Sequence, residues 1–428
     1  MALIRIWLSV AIFISVAFCC VSTVRSAEAL PANKVAAACN DFGFRLLRAL
    51  DAGTDSNVII SPLGVSLVLT IAYNGASDAT KTAMARTLAL SSLSDNDINA
   101  GYNHLLAAAR SGDPAVRVAI ANALWARQGL AIRPDFIKRS RNSYGAEVKT
   151  LNFKGDPAGA AKTINTWTSR NTYGKIPEIV NDLSPRTVLM LTDAVYFKGK
   201  WTAPFDKKKT APRRFFLGSQ GSVTVPMMIQ RGDYPYLETA AFQAIRLDYG
   251  DGRFAMYVFI PRKRTGVSYA AALSKFTKSL DEPNWSKWTG LMRKRPGAII
   301  MPKFELRYGR NLRKALESIG LRIIFGPEAN FSGIPVKPTP IMVSFFEHKT
   351  HIRVDEEGAT AAAASAMGML GSALQGRMTH PFSMIVDHPF FCAIAERKTG
   401  ALMFIGVITD PSRENVRRAV KMVTAPRR

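Results

Sequence analysis

Hydrophobic residues recur along this chain in two patterns. Val35, Cys39, Phe42, Leu46 and Leu50 fall at steps of four, three, four and four. That spacing places them on one face of a helix, with Asn33 as its cap. Ser61 to Leu90 reads as a second helical region, broken near Tyr73, Asn74 and Gly75. Ile164 to Tyr173 predicts a third helix, ended by Gly174, and Leu312, Ala315, Leu316 and Ile319 predict another, stopped at Gly320. The strand candidates are long apolar runs: Val188–Phe197, Phe254–Ile260, Gly297–Met301, Pro389–Ala395 and Ala401–Ile408. Continuous apolarity predicts strands covered on both faces. Blocks of helix followed by blocks of strand predict an α+β fold. No Pro/Ser/Gly-rich linker divides the chain, which predicts one large domain from about Val35 to Pro411.

The ends read differently. Arg5 precedes an apolar stretch from Ile6 to Cys20, too short to span a bilayer comfortably, followed by small residues at Ser22, Ser26 and Ala27. This predicts a signal peptide over residues 1–27, cleaved near Ser26 or Ala27, and a secreted or periplasmic protein with no membrane span when mature. An uncleaved anchor is the alternative; a lipoprotein at Cys20 fits poorly behind the bulky Phe18. Ser412 to Arg428 is a basic extension.

Composition excludes a mainly disordered or multi-pass membrane chain: 47% of the 428 residues are hydrophobic and 21% charged. Charge changes the picture more. The chain carries +25, and loss of Arg5 and Arg25 with the signal leaves +23. Basic clusters stand at Lys207–Lys209 with Arg213 and Arg214, at Arg262–Arg264, at Arg293–Arg295 and from Arg413 to Arg428. Such a field favours a polyanion, for example heparin or lipopolysaccharide, although most such residues ordinarily form a solvated face. No zinc-finger spacing or aromatic-plus-basic stripe predicts specific nucleic-acid binding.

Enzyme signatures are missing: there is no GxSxG elbow, HExxH, P-loop or GxGxxG. No catalytic residue, metal or cofactor is expected. His348 and His351 lie three apart in a predicted strand, hence on opposite faces and unsuited to one metal. Cys39 and Cys392, the cysteines outside the signal, sit in apolar settings and read as buried thiols. Arg231–Gly232–Asp233 matches an adhesion tripeptide but reads as tightening a turn between strands.

The most informative stretch runs from His348 to His380. It opens like a strand, with Ile352 and Val354 alternating with charges, and then Asp355, Glu356 and Glu357 precede Gly358. From Ala359 to Ala366 every side chain is small. An Ala-rich helix is one reading, but it would have no apolar stripe to anchor it. The other is a segment that enters a packed sheet: Ala359, Ala361, Ala363 and Ser365 would share one face and Thr360, Ala362, Ala364 and Ala366 the other, none of them bulky.

With these residues in view, the chain resembles a serpin along almost its whole mature length. NVIISPLGVSLVLTIAYNGASDATKTAMARTL (Asn57–Leu88), INTWTSRNTYGKI (Ile164–Ile176), LTDAVYFKGKWTAPF (Leu191–Phe205), VPMMIQRGDYPY (Val225–Tyr236), MPKFELRYGRNLRKALESIGLRIIF (Met301–Phe325) and DHPFFCAIAERKTGALMFIGVITDP (Asp387–Pro411) are similar to family motifs. The resemblance implies three β-sheets, eight or nine helices and an exposed reactive-centre loop, in a serpin domain spanning residues 35–411. It implies a monomer that inhibits a serine or cysteine protease irreversibly. The protease forms an acyl-enzyme on the loop, and the cut loop inserts into the central sheet as a new strand. About 14 residues at roughly 3.4 Å each would carry the enzyme about 50 Å. A non-inhibitory serpin, acting as a binding or carrier protein, is the alternative.

The family's residues carry over one by one. Glu356, Glu357, Gly358, Ala359, Thr360, Ala361, Ala362, Ala363 and Ala364 match the inserting hinge, with Ala359 where Thr or Ser is usual. Ser61 and His348 match the shutter that holds the sheet closed. Trp201 matches the breach where the loop enters, and Lys303 with Glu356 a breach salt bridge. Gly64 stands in place of a usual serine and Asp193 in place of a usual asparagine, where it could pair with His348. Counts from the two sides disagree on the scissile bond: Leu370, Ser372, Ala373 and Leu374 suit chymotrypsin- or elastase-like enzymes, and Arg377 a trypsin-like one.

Overall fold

The computed structural model describes residues 31–51, 56–110, 112–218, 221–263, 265–358 and 381–413. The expected signal peptide over residues 1–27, the small-residue run Ala359 to Ala364, the scissile candidates Leu370, Ser372, Ala373, Leu374 and Arg377, and the tail beyond Arg413 lie outside the described residues.

The described residues form nine helices: α1 (31–51), α2 (Pro62–Tyr73), α3 (Asp78–Thr87), α4 (Asp95–Ala109), α5 (Pro134–Tyr144), α6 (Pro157–Asn171), α7 (Tyr269–Lys278), α8 (Glu282–Leu291) and α9 (Arg313–Leu316). The fourteen strands are β1 (Val58–Ile60), β2 (Val116–Arg127), β3 (Glu147–Leu151), β4 (Leu189–Gly199), β5 (Ala211–Phe216), β6 (Ser222–Glu238), β7 (Phe242–Tyr249), β8 (Phe254–Pro261), β9 (Arg293–Pro302), β10 (Phe304–Asn311), β11 (Val343–Val354), β12 (Phe382–Ile385), β13 (Phe390–Glu396) and β14 (Leu402–Ile408). The class is α+β, as the pattern predicted.

The five apolar runs are strands, and those at β8, β13 and β14 are buried throughout. Some boundaries differ from expectation. The first helix already runs at residue 31, so Asn33 is inside it rather than its cap. The α9 path does not stop at Gly320; it bends there, at φ +113°, and continues to Phe325. Arg231–Gly232–Asp233 is not in a turn. It lies mid-strand in β6, with Gly232 opposite Gly297 of β9.

The ladders join into two sheets. Five strands run in the order β10-β11-β4-β2-β3; nine make the other sheet. Of the three expected sheets, two are continuous through the 17-residue β6, which pairs with β5 and β9 and, at its end, with β7. Helix α2, buried at every residue, lies between the sheets against β2, β4 and β14.

Period-2 alternation assigns the two faces of the five-stranded sheet. Leu189, Leu191, Val195 and Phe197 of β4 join the main core on the α2 side, while Met190 and Ala194 join a smaller cluster with Ala160, Ala161 and Ile164 of α6. Trp125 and Trp167 meet edge-to-face at 5.3 Å in that cluster. Phe197 ties the sheets together: its ring lies 5.1 Å from Tyr249 and 6.1 Å from both Phe254 and Phe404. Truncation of so large a buried ring, Phe197→Ala, should cost about 3–5 kcal/mol. A scanning calorimetry trace would show it as a lower Tm; a Tm within a degree of the wild type would contradict this role.

Candidate functional site

Two clusters border the contact between β4 and β11. These strands are direct, parallel neighbours, from Val343 opposite Leu189 to Ile352 opposite Phe197.

The first cluster is buried on the α2 face. Asp193 is in register with Asn122 of β2 on one side and His348 of β11 on the other. Asn122, Asp193, His348 and Ser61 are all at most 1% exposed. The Ser61 backbone N–H points at His348 Nε2, 3.3 Å away, so that nitrogen accepts. The ring proton therefore sits on Nδ1 and is donated to Asp193 Oδ2 at 2.6 Å. The Ser61 hydroxyl takes no part in this bond; it caps α2 by accepting from the Gly64 N–H at 3.1 Å. Thr350 adds a bond from its hydroxyl to the Ile59 carbonyl at 2.9 Å.

Gly64 and Asp193 are in contact. A β-carbon at Gly64 would collide with the Asp193 carboxylate and the Val195 methyl. The two departures from the family pattern are thus one accommodation: the missing side chain makes room for the acid. Burial pushes the Asp193 carboxyl up from its ordinary value, and His348 offsets only part of this. Asp193 Oδ1 and Asn122 Oδ1 are both buried without a hydrogen-bond partner.

The second cluster lies where β11 ends. Trp201 donates its Nε1–H to the Asp355 carbonyl at 2.8 Å and its backbone N–H to the Glu357 carbonyl at 3.2 Å. The Phe205 N–H reaches the Glu356 carbonyl at 2.8 Å. Trp201 is itself fixed by stacking on Tyr249, with centroids 4.2 Å apart and planes 12° from parallel. Gly358 turns the chain at φ +73°, where a β-carbon would strike the Trp201 nitrogen and the Gly199 carbonyl. Only glycine meets both demands.

Three consecutive acids precede that turn, and each has a cation. Arg353 pairs with Asp355 at 2.8 Å, Lys303 with Glu356 at 2.9 Å, and Lys207 with Glu357. Burial alone would raise the Glu356 carboxyl, but Lys303 and its own backbone N–H outweigh it, and the pKa falls below its ordinary value.

The structure thus brings together Ser61, Asp193 and His348 in one place, and Trp201, Lys303, Glu356, Glu357 and Gly358 in another. His351 faces away from His348 and meets Glu305 Oε1 at 2.8 Å. Cys39 and Cys392 are buried free thiols, each pushed up to about 12 by burial. Sequence reasoning missed Asn122, Tyr249 and Thr350, which show no local signal, and Lys207, visible only as one of three lysines. No helix of the described residues is long and apolar enough to cross a membrane.

Comparison with known proteins agrees with this architecture. The serpin (serine protease inhibitor) family profile matches residues 37–411. An uncharacterised serpin-like protein of Thermococcus kodakarensis is 33% identical, over 87% of this chain and 85% of its own. Iripin-2 of Ixodes ricinus is 31% identical, over 88% and 93%. Among solved structures, native protease nexin-1 with heparin superposes with a TM-score of 0.78 at 26% identity, over 89% of this chain and all of that one. Human thyroxine-binding globulin complexed with its hormone gives 0.79 at 26% identity, over 90% and 100%. The chain belongs to the serpin family. Members of this family are in general protease inhibitors rather than enzymes.

Two expectations follow from the clusters. Asparagine at 193 can accept from His348 without placing an ionisable carboxylate in the buried sheet. Asp193→Asn should therefore stabilise the protein at neutral pH by about 1–3 kcal/mol. A raised folded pKa means the penalty for ionising Asp193 is full above that pKa and is relieved as pH falls through it. The gain in Tm should shrink on acidification, and a gain constant with pH would refute the account. Glu356 has the opposite sign. Its stabilisation is present above the ordinary glutamate value near 4.5 and is lost as pH falls through the lower folded value. Glu356→Gln should cost about 1 kcal/mol at pH 7, since Lys303 is 37% exposed and partly screened, and progressively less as pH falls below 4.5.

Proposed function

We propose that this serpin is an irreversible suicide-substrate inhibitor of serine, or cysteine, proteases, acting through reactive-loop cleavage and insertion between β4 and β11. One observation carries the reading: β4 and β11 are parallel neighbours at whose upper end Gly358 turns the chain. A segment returning from Gly358 beside β11 would be antiparallel to β11 and also to β4. One weaker parallel ladder would become two antiparallel ones. Strand addition and release of stored strain are the general physics of serpin loop insertion. The uncut state would then be held kinetically.

In this reading Glu356, Glu357, Gly358, Ala359, Thr360 and Ala361–Ala364 form the hinge, and the small side chains pass beneath α6 on one face and α2 on the other. The mature protein is a secreted or periplasmic monomer, with a serpin domain over residues 35–411, a basic extension over 412–428 and affinity for polyanions. The second reading, a carrier that is cut without trapping its protease, is supported by the equally good superposition on thyroxine-binding globulin.

Incubation with trypsin, chymotrypsin, elastase, subtilisin and papain separates the two. Inhibition gives a denaturant-stable band at the summed mass, and cleaved protein with a raised melting temperature. Cleavage with neither would sink the inhibitor reading. Mass spectrometry of the released C-terminal fragment identifies the bond among Leu370, Ser372, Ala373, Leu374 and Arg377.

A further inference from the structure

Just before β11 the chain reads Ile334, Pro335, Val336, Lys337, Pro338, Thr339, Pro340, Ile341, Met342. Proline fixes its own φ near about −65° and pushes the residue before it out of the helical region. Six of the seven residues from Ile334 to Pro340 are therefore restricted by sequence alone, Val336 being the exception. The fold holds Val336 instead: its N–H donates to the Ala131 carbonyl at 2.8 Å. Arg133 secures the same end. Its Nε–H donates to the Pro335 carbonyl at 2.9 Å, and its backbone N–H to the Ile334 carbonyl at 2.9 Å. After a bend at Val336 and Lys337, the chain runs through Pro338 to Met342 into β11 without helix, turn or ladder. Such restrictions favour the polyproline II conformation, which makes no internal backbone hydrogen bonds and leaves its carbonyls for a partner.

The burial pattern turns this segment into a surface strip. Ile334 and Ile341, 0% and 4% exposed, anchor it in the core. Between them Val336, Lys337, Pro338, Thr339 and Pro340 are all exposed, and Met342 follows. Val336 is 49% exposed and Met342 39%, two of the five large hydrophobic side chains so placed among the described residues. Exposed apolar residues scattered singly are ordinary, but these two share a restrained strip with two exposed proline rings. Docking such a strip costs a partner little, because most of its backbone freedom is already lost. Extended proline segments of this kind dock in grooves lined by aromatic rings. Lys337, the only charged residue from Ile334 to Met342, suits a groove that also carries a carboxylate, as does a chain of net charge +25. The strip precedes β11 at Val343, about 35 Å from the far end of that strand, after which Gly358 turns the chain.

We propose that Val336–Met342 is a docking strip for a partner protein whose groove is lined by aromatic side chains and carries an acid, of the kind that binds extended proline segments. Docking there needs neither a cut loop nor a protease, so it stands apart from the inhibitory reading.

The test uses the full chain and a panel of purified SH3 and WW domains, with binding read by calorimetry and by chemical shifts on the domain. At least one domain should bind, and its own groove tryptophan should be required. No domain binding with a Kd below about 1 mM would overturn the choice of partner, as would binding that survives loss of that tryptophan. Pro338→Ala/Pro340→Ala keeps the strip apolar but removes both rings and frees the backbone, and should weaken binding at least fivefold. Pro283→Ala, at an exposed proline on α8, should change nothing. Equal losses in the two would overturn the site. Val336→Ser/Met342→Ser should weaken binding less than the double proline variant does; the reverse order would show apolar adhesion rather than recognition of an extended proline segment. Dimerisation of the chain that Pro338→Ala/Pro340→Ala abolishes, with no domain bound, would assign the strip to a second copy and overturn the partner named here. All these side chains are exposed, so melting temperatures should stay unchanged throughout. A chain that binds in this way but traps no protease would refute the inhibitor reading and leave the strip intact.

Discussion

The parallel contact between β4 and β11 is the constraint on which the rest of the molecule depends. Parallel neighbours need a long connection, and here it runs from Lys200 to Met342 through most of the nine-stranded sheet. The pair is also tied to the elements that cover it. On the α2 face, His348 and Thr350 reach Asp193, Ser61 and Ile59. On the other face, Lys349 donates to the Glu178 carbonyl. Asn165 of α6 bonds Ile179 and Val180 of the same loop. Helix, loop and strand are thus one linked cover, and whatever enters the seam must displace it. The α6-side core beneath it is rich in alanine, at Ala121, Ala123, Ala160, Ala161 and Ala194, so displacing the cover exposes little apolar surface at those positions.

The buried cluster shows how two unusual residues become one ordinary packing solution. Glycine inside a helix costs roughly 1 kcal/mol relative to alanine. At position 64 that cost is offset, because a larger residue would require Asp193 to move. The acid in turn holds His348 in a single tautomer, through a bond that asparagine could also accept. What asparagine would not carry is the ionisable charge, so the pair builds a sensitivity to proton concentration into the middle of the sheet.

Much of this was legible in the sequence, and the limits have physical causes. Helix and strand type were readable wherever burial repeats, as in α1 or β14, because periodicity reports burial directly. Boundaries were not, because the start of α1 and the bend at Gly320 depend on neighbours distant in sequence. The acid-rich turn was recognisable from Glu356–Gly358, since positive φ leaves a glycine in the sequence. Its supports were not. Tyr249 beneath Trp201 and Asn122 beside Asp193 are ordinary strand residues, made important by strand register alone. The fusion of two sheets was hidden for the same reason: β6 reads as a hairpin until its full length is seen paired with β9.

The two clusters differ in burial, and that difference sets an order of events. At the upper end, the acidic triplet is held by pairs whose cations are 37–64% exposed. Such pairs contribute little each and weaken further in salt. At the centre, Asp193 and His348 are wholly buried, and parting them leaves buried polar groups without hydrogen-bond partners. A strand arriving from Gly358 would meet the weak end of the seam first. The cost of parting β4 from β11 therefore rises along the path, with the largest step at His348. Exposed contacts would govern how readily entry begins, and buried ones whether an uncut chain goes further. In the proposed insertion, a barrier placed at the centre of the sheet rather than at its mouth would let the mouth loosen without parting the whole seam.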